Sequence, residues 1–233
     1  MLRIFQRHCN YSTQSKNKPR PSWFNREKLF DSFITTLTDQ TVYTAFHDSG
    51  NGSIDDHFLN NKNVNKISMN GGNDAVAFLN MLNYVLVQDY SDEDIIYFVE
   101  DDYAHSMNWV PIMLEGFEYT AADYITLYDH PDKYSLQMYN NIQCAIVLTP
   151  SCHWRTTPST TNTYACKFKT LKRHADIHIK YCDLDEKWTK DHVKFIELWN
   201  TGSSLISSVP GYATHVETNM LSPVINWEKI INE

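Results

Sequence analysis

The sequence of 233 residues contains no apolar window of about 18 residues, the length a membrane-spanning helix needs. Arg3 and Arg7 stand near the N-terminus with no apolar run behind them, so that segment does not read as a secretory signal. The expectation is a cytoplasmic protein without the anchor a lumenal Golgi enzyme needs. The five cysteines (Cys9, Cys144, Cys152, Cys166, Cys182) are odd in number and include no C-x-x-C pair. Neither a zinc ribbon nor a disulfide scaffold is indicated, and buried free thiols in a reducing compartment are expected. Positive charge is also short. A net charge of -8 argues against a nucleic-acid-binding module, which carries a basic face. The patterns G-x-x-x-x-G-K-[ST], G-x-G-x-x-G and G-x-S-x-G do not occur. Their absence argues against a P-loop NTPase, a dehydrogenase with the dinucleotide fingerprint and a serine hydrolase.

What remains is the composition of a globular domain, with 42% hydrophobic and 21% charged residues. Aromatic residues make up 13%, with 14 Tyr and 6 Trp. They suit either an aromatic core or a surface for ring-shaped ligands. Abundant Asn, Asp, Lys, Ile and Tyr hint at an A+T-rich genome, bacterial or viral. Asn10-Tyr11-Ser12 and Asn51-Gly52-Ser53 match the N-glycosylation pattern.

Hydrophobic periodicity predicts alternating strands and helices. Strands are expected at Met1 to Phe5, Val42 to Phe46, Ile95 to Glu100, Tyr124 to Tyr128, Ile142 to Leu148 and Ser204 to Val209. Helices are expected at Trp23 to Thr36, Asn73 to Tyr90 with Asn73 or Asp74 as cap, Trp109 to Phe117, Thr160 to His174, and Asp191 to Trp199 with Thr189 or Asp191 as cap. Asn10 to Pro21 reads as a loop, and Asp55 to Lys66 as polar and irregular. The alternation implies one α/β domain whose sheet is parallel at least in its first half.

The central feature is Ile95-Ile96-Tyr97-Phe98-Val99-Glu100-Asp101-Asp102-Tyr103. An unbroken apolar run fits a strand covered on both faces, and it ends in three consecutive carboxylates. Such acids repel one another unless a cation or hydrogen-bond donors sit between them. The carboxyl edge of an open α/β sheet is where ligands bind. The cluster therefore reads either as a divalent-metal site for a phosphate-bearing substrate or as a solvated turn. On a strand, Glu100 and Asp102 share one face and Asp101 takes the other.

Four further positions each carry a functional and a purely structural reading. Asp48, just past a predicted strand, either holds a ribose hydroxyl or base edge or forms an Asx turn before Gly50. His215 is either a structural histidine or part of a carboxylate–imidazole shell suited to Mn²⁺. Asp191, at a helix start, is either a cap or a general base. Arg155, in a donor-rich stretch before the expected helix at Thr160, either pairs with phosphate, orients a sugar or makes a surface salt bridge.

Taken in order, these residues resemble the GT-A class of nucleotide-sugar glycosyltransferases. The match is an apolar strand ending in an Asp-x-Asp-like motif, here Glu100-Asp101-Asp102, preceded by an Asp-bearing loop, here at Asp48. More closely, the chain is similar to a group of small, soluble GT-A proteins of bacteria and viruses. The resembling segments are Arg20 to Phe24, Phe98 to Tyr103, Leu127 to Tyr134, His153 to Thr160 and Pro210 to His215, and they extend over nearly the whole chain. The Gln-x-x-Arg-Trp motif of the large processive synthases is missing.

The resemblance implies a GT-A fold: a single Rossmann-like domain with a mixed, largely parallel central sheet flanked by helices. Residues 1–105 would form the nucleotide-binding half and 106–233 the acceptor-binding half. It also implies a nucleotide diphosphate-sugar donor, a carbohydrate or glycan acceptor and Mn²⁺ or Mg²⁺. Asp102 and His215 would bind the metal, and Arg7, Asp48, Asp101 and Arg155 would lie on the donor. Asp129, His130 and Trp154 would contact the acceptor. Asp191 matches the place of the general base of inverting enzymes, although the usual acidic pair is here Lys190-Asp191-His192. The rival readings are a metal-dependent phosphoester hydrolase and a sugar- or nucleotide-binding protein without catalysis.

Overall fold

The computed structural model describes residues 1–9, 15–50 and 54–232. Both N-glycosylation matches include residues outside that set. In chain order the elements begin with β1 (Leu2–Cys9), α1 (Arg26–Thr35), β2 (Thr41–Asp48), β3 (Asn65–Met69), α2 (Asp74–Leu86), β4 (Ile95–Glu100) and β5 (Tyr103–His105). They continue with α3 (Trp109–Tyr119), β6 (Tyr124–Thr126), α4 (Asp132–Ser135), β7 (Ile146–Leu148), β8 (His153–Thr156) and β9 (Tyr164–Lys167). The last are α5 (Phe168–Arg173), α6 (Ala175–Lys180), β10 (Cys182–Asp183), β11 (Trp188–Thr189), α7 (Asp191–Asn200), β12 (Leu205–Val209), β13 (Ala213–His215) and α8 (Trp227–Asn232).

Among the described residues the main sheet has nine strands in the order β3-β2-β1-β4-β9-β6-β12-β8-β7. The block β3-β2-β1-β4 is parallel, as is the pair β6-β12. β9 runs antiparallel between β4 and β6, and β8 runs antiparallel to β12 and β7. This is a mixed, mostly parallel Rossmann-like sheet in a single α/β domain, as the resemblance implied.

Strand β4 shows why the sheet is sandwiched. Ile95, Tyr97 and Val99 pack with Phe33, Trp109 and Met113 from α1 and α3 on one face. Ile96 and Phe98 pack with Phe78, Met81 and Leu82 of α2 and with Phe195 and Leu198 of α7 on the other. Alternate residues of one strand thus feed two cores, which is why the run has no polar alternation. Asn73 caps α2 by accepting from the Val76 N–H at 3.0 Å, as expected. Of the five free cysteines, four are buried and Cys144 is half-buried.

Three expectations about elements need correction. The helix expected at Thr160 to His174 is strand β9 followed by α5. Tyr164 and Cys166 face one core and Ala165 the other, a period-two pattern too short to stand out among Thr, Asn and Lys. Within the polar segment at Asp55 to Lys66, β3 begins at Asn65. It is an edge strand, so its side chains stay largely in solvent and carry no apolar signal. Arg155 lies on β8, not in a loop before a helix.

Several histidines are buried and held neutral. Burial drives His105 down to about 3. Burial, then His47 and Arg26, drives His57 to about 4. His8 and His178 also lie well below the ordinary value through burial. An unfolded chain takes up protons at these positions below about pH 6.5, while the folded chain refuses them. Stability is therefore full above that pH and falls as pH drops towards 4, by about 1.4 kcal/mol per pH unit for each such histidine. Glu100, pushed up to about 8 by burial and by Asp102 and Asp74, acts in the opposite sense, as do Asp101, Asp129 and Asp191, raised by burial, while His47, His174 and His192, lowered by burial, add to the loss. Chemical denaturation should show a marked loss of stability between pH 7 and pH 4.5. Equal midpoints at the two pH values would contradict this.

Candidate active site

Register places the site. Parallel pairing sets Arg7 beside Glu100 and Cys9 beside Asp48, so β1, β2 and β4 end together at the carboxyl edge of the sheet. A cavity of about 230 Å³ opens there, lined by Arg7, Lys18, Asp74, Trp188 and Thr189, all three carboxylates of the acidic motif, Asp191 and His215. The strand ends at Glu100, and Asp101 and Asp102 form a turn. The strand alternation therefore does not extend through the motif, and Asp101 does not turn away from the cleft.

The three acids differ sharply. Asp102 is buried; burial alone would raise its pKa, but His215, Lys18 and Arg20 outweigh that and hold it well below the usual carboxylate range. Its Oδ2 accepts from Arg20 Nη2 at 2.7 Å and lies 3.0 Å from His215 Nε2, with Lys18 Nζ at 3.5 Å. Asp101 accepts from the Cys9 N–H at 3.2 Å and from Arg26 Nε at 3.2 Å. Burial raises its pKa against the pull of Arg26. Glu100 is pushed up to about 8 by burial and by Asp102 and Asp74.

The structure brings Asp102 and His215 together, because β13 carries His215 antiparallel to β5 and sets it opposite Tyr103. Adjacent ligands on an octahedral ion with bonds of about 2.1 Å stand about 3 Å apart, close to the separation seen here. Asp102 Oδ1 is buried and has no hydrogen-bond partner among the described residues. Among the described residues no group of three or more His, Cys, Asp or Glu side chains is arranged to hold a metal. A cation held by this pair would have to draw the rest of its shell from phosphate oxygens and water, as Mg²⁺ commonly does.

Asp191 is the first residue of α7, one position past the N-cap Lys190. Its Oδ1 accepts from Lys194 Nζ at 2.9 Å. Lys194 is almost wholly buried and also donates to Asn162 Oδ1 at 2.9 Å. Burial raises the Asp191 pKa, Lys194 opposes that, and Asp74 adds to it. The β10–β11 hairpin is tied to the base of the cleft, since the N–H and hydroxyl of Thr189 both donate to Asp74 Oδ2. It brings Trp188, which is 54% exposed, to the cavity wall beside Asp191.

Other expected site residues lie elsewhere. Asp48 does not line the cavity. Its Oδ1 accepts from the N–H groups of Gly50 at 2.9 Å and Gly71 at 2.8 Å, and its Oδ2 from Arg7 Nη2 at 2.9 Å. The carboxylate is consumed in an Asx-type turn and in orienting Arg7, which does reach the cavity. Gly71 is required here, because a Cβ would sit 2.7 Å from Asp48 Oδ2. Order matters too, since β1 lies between β2 and β4.

Arg155 donates to Asp129 Oδ1 at 2.6 Å, and Tyr134 donates to Asp129 Oδ2 at 2.8 Å. His130 Nδ1 accepts from the Asp132 N–H at 3.1 Å. Arg155, Asp129 and His130 thus belong to a second polar cluster outside the cavity, and the donor-side expectation for Arg155 is not supported by its position. Trp154 is fully buried and donates to Thr149 Oγ1 at 3.0 Å, so it has no face for a sugar ring.

Lys18, Arg20, Arg26, Asp74, Trp188 and Lys194 were not singled out as site residues from the sequence. Lys18 and Arg20 fall in the Asn10 to Pro21 loop, Arg20 also begins a resembling segment, and Asp74 is a candidate cap, but none is given a place in the site.

No family model and no curated protein sequence matches this chain. Solved structures match its fold. Residues 1–349 of S. aureus TarS, a GT-A glycosyltransferase, superpose with a TM-score of 0.52 at 11% identity, covering 91% of this chain and 60% of that one. This chain therefore spans less than two thirds of that structure. CMP:2-keto-3-deoxy-manno-octonic acid synthetase, complexed with CTP, gives 0.51 at 10% identity, covering 91% and 92% of the two chains. 4-Diphosphocytidyl-2C-methyl-D-erythritol synthase from Anaerococcus prevotii gives 0.51 at 7%, covering 98% and 94%. At these identities the likeness is one of fold: the nucleotide-binding GT-A-like fold that glycosyltransferases and nucleotidyltransferases share.

Proposed function

We propose that this chain is a metal-dependent glycosyltransferase that moves a sugar from a nucleotide diphosphate-sugar to an acceptor hydroxyl, with inversion. The observation that supports this most is the single cavity lined both by the Asp102–His215 pair and by Asp191. It holds a candidate diphosphate end and a candidate base at the carboxyl edge of a GT-A-like sheet. Asp102 and His215 would hold Mn²⁺ or Mg²⁺, and such an ion supplies charge neutralisation for a diphosphate leaving group.

The chain's own residues do the rest. Arg7, fixed by Asp48, presents positive charge to the donor. Asp191 takes the proton of the acceptor hydroxyl as that oxygen bonds to the anomeric carbon, and the bond from that carbon to the diphosphate oxygen breaks. Lys194 favours the ionised form that a base requires. Trp188 offers an exposed indole face beside Asp191, and an acceptor ring packs on such a face.

The test is to incubate the purified chain with a panel of nucleotide sugars, simple glycosides and Mn²⁺, and to follow glycoside and nucleoside diphosphate release together. Equimolar appearance of the two supports transfer. Phosphate release from simple esters without any acceptor would instead favour the hydrolase reading, and tight binding without product a non-catalytic one.

A further inference from the structure

Lys18 occupies an unusual place. Its ammonium stands 3.2 Å from His215 Nε2 and 3.5 Å from Asp102 Oδ2, against the two side chains that would hold the metal. The segment that carries it is pinned over the acidic turn. Arg20 bonds Asp102 and the Val216 carbonyl, and the Thr218 N–H donates to the Pro19 carbonyl at 2.8 Å. A divalent ion bridging Asp102 and His215 and an ammonium at this distance from both compete for the same space and the same charge. The cavity that Lys18 lines encloses about 230 Å³, whereas sites for small ligands and cofactors run to roughly 300–1,000 Å³. Withdrawal of Lys18 would enlarge it.

We propose that Lys18 is a built-in counter-ion of the Asp102–His215 pair, and that a divalent cation enters only by displacing it. The inference rests on the metal site of the proposed function. With Arg20 and His215, Lys18 compensates the buried Asp102 carboxylate while no cation is bound, and its displacement is the cost of metal entry. The same displacement frees an ammonium at the mouth of the cleft. Metal affinity is therefore weak in the resting chain by design of the fold, through a residue that need not ligate metal.

The test is a Mn²⁺ titration of the whole chain, with free ion followed by electron paramagnetic resonance and no donor present. Lys18→Met should bind Mn²⁺ more tightly than wild type, on the order of tenfold, the scale of one lost charge-assisted hydrogen bond. Lys18→Arg, which keeps the charge, should stay near wild type. Asp102→Asn in the Lys18→Met background should lose the gain. Arg20 and His215 still partner Asp102 in these Lys18 variants, and a thermal melt verifies that each is folded. Unchanged or weaker Mn²⁺ binding by Lys18→Met would overturn the proposal. Equal tightening by Lys18→Arg would also overturn it, because the effect would then come from loosening the segment rather than from charge. If no chain binds Mn²⁺, even with uridine or guanosine diphosphate present, the metal reading itself fails and takes this inference with it.

Discussion

Asp191→Asn should lower transfer by about 10²-fold or more, the usual contribution of a positioned general base, while donor binding stays near wild type. The amide keeps an oxygen that can accept from Lys194, so the contact at 2.9 Å need not open and α7 keeps its place. What is lost is the negative charge that accepts a proton. The effect should appear in kcat and in kcat/KM alike, since the interaction is made in the transition state. Calorimetry with donor separates this from misfolding: an intact heat of binding with lost turnover is the expected pair of results. Normal transfer by this variant would place the base elsewhere.

Asp102→Asn should abolish metal-stimulated turnover and also cost stability. Asp102 is the common partner of Arg20, His215 and Lys18. Removing its charge leaves these groups clustered without a carboxylate, and breaking a buried ion pair from one side costs about 3–5 kcal/mol. Partial exposure of Lys18 and Arg20 moderates this. The two consequences are separable, because the melting temperature can be read without metal and turnover assayed well below it. A folded variant with wild-type response to Mn²⁺ would remove Asp102 from the metal site.

The parts of this molecule legible in its sequence are those with long, unmixed signals. Ile95 to Val99 declared a doubly covered strand, and Ala75 to Leu86 a helix with a broad apolar stripe. Asp191 was legible as a helix start and His215 as part of the C-terminal motif, and the fold brings both to the cleft. What was not legible is long-range and polar. Nothing local in Tyr164 to Lys167 says that the segment slots antiparallel between two strands, because its two-sided burial comes from neighbours 30 or more positions away. Nothing local at Lys18 or Arg20 says that they fold back onto Asp102. Asp48 misled for the opposite reason. A carboxylate past a strand end looks available, but the N–H groups of Gly50 and Gly71 and the Arg7 side chain consume it. The resemblance set Trp154 against the acceptor, but its ring is fully buried, and the exposed indole at the cleft is Trp188 instead.

The central claim is that a cation and a diphosphate-linked sugar share the cleft at Asp102 and His215. Thermal denaturation with a panel of nucleotide sugars, each with and without Mn²⁺, tests it most directly, because a ligand of the native state raises the melting temperature as its concentration exceeds its Kd. The account predicts that one nucleotide sugar raises the melting temperature of the wild-type chain, that Mn²⁺ enlarges the rise, and that Asp102→Asn loses the Mn²⁺ increment. A rise that is indifferent to Mn²⁺, or no rise with any nucleotide sugar, would contradict it.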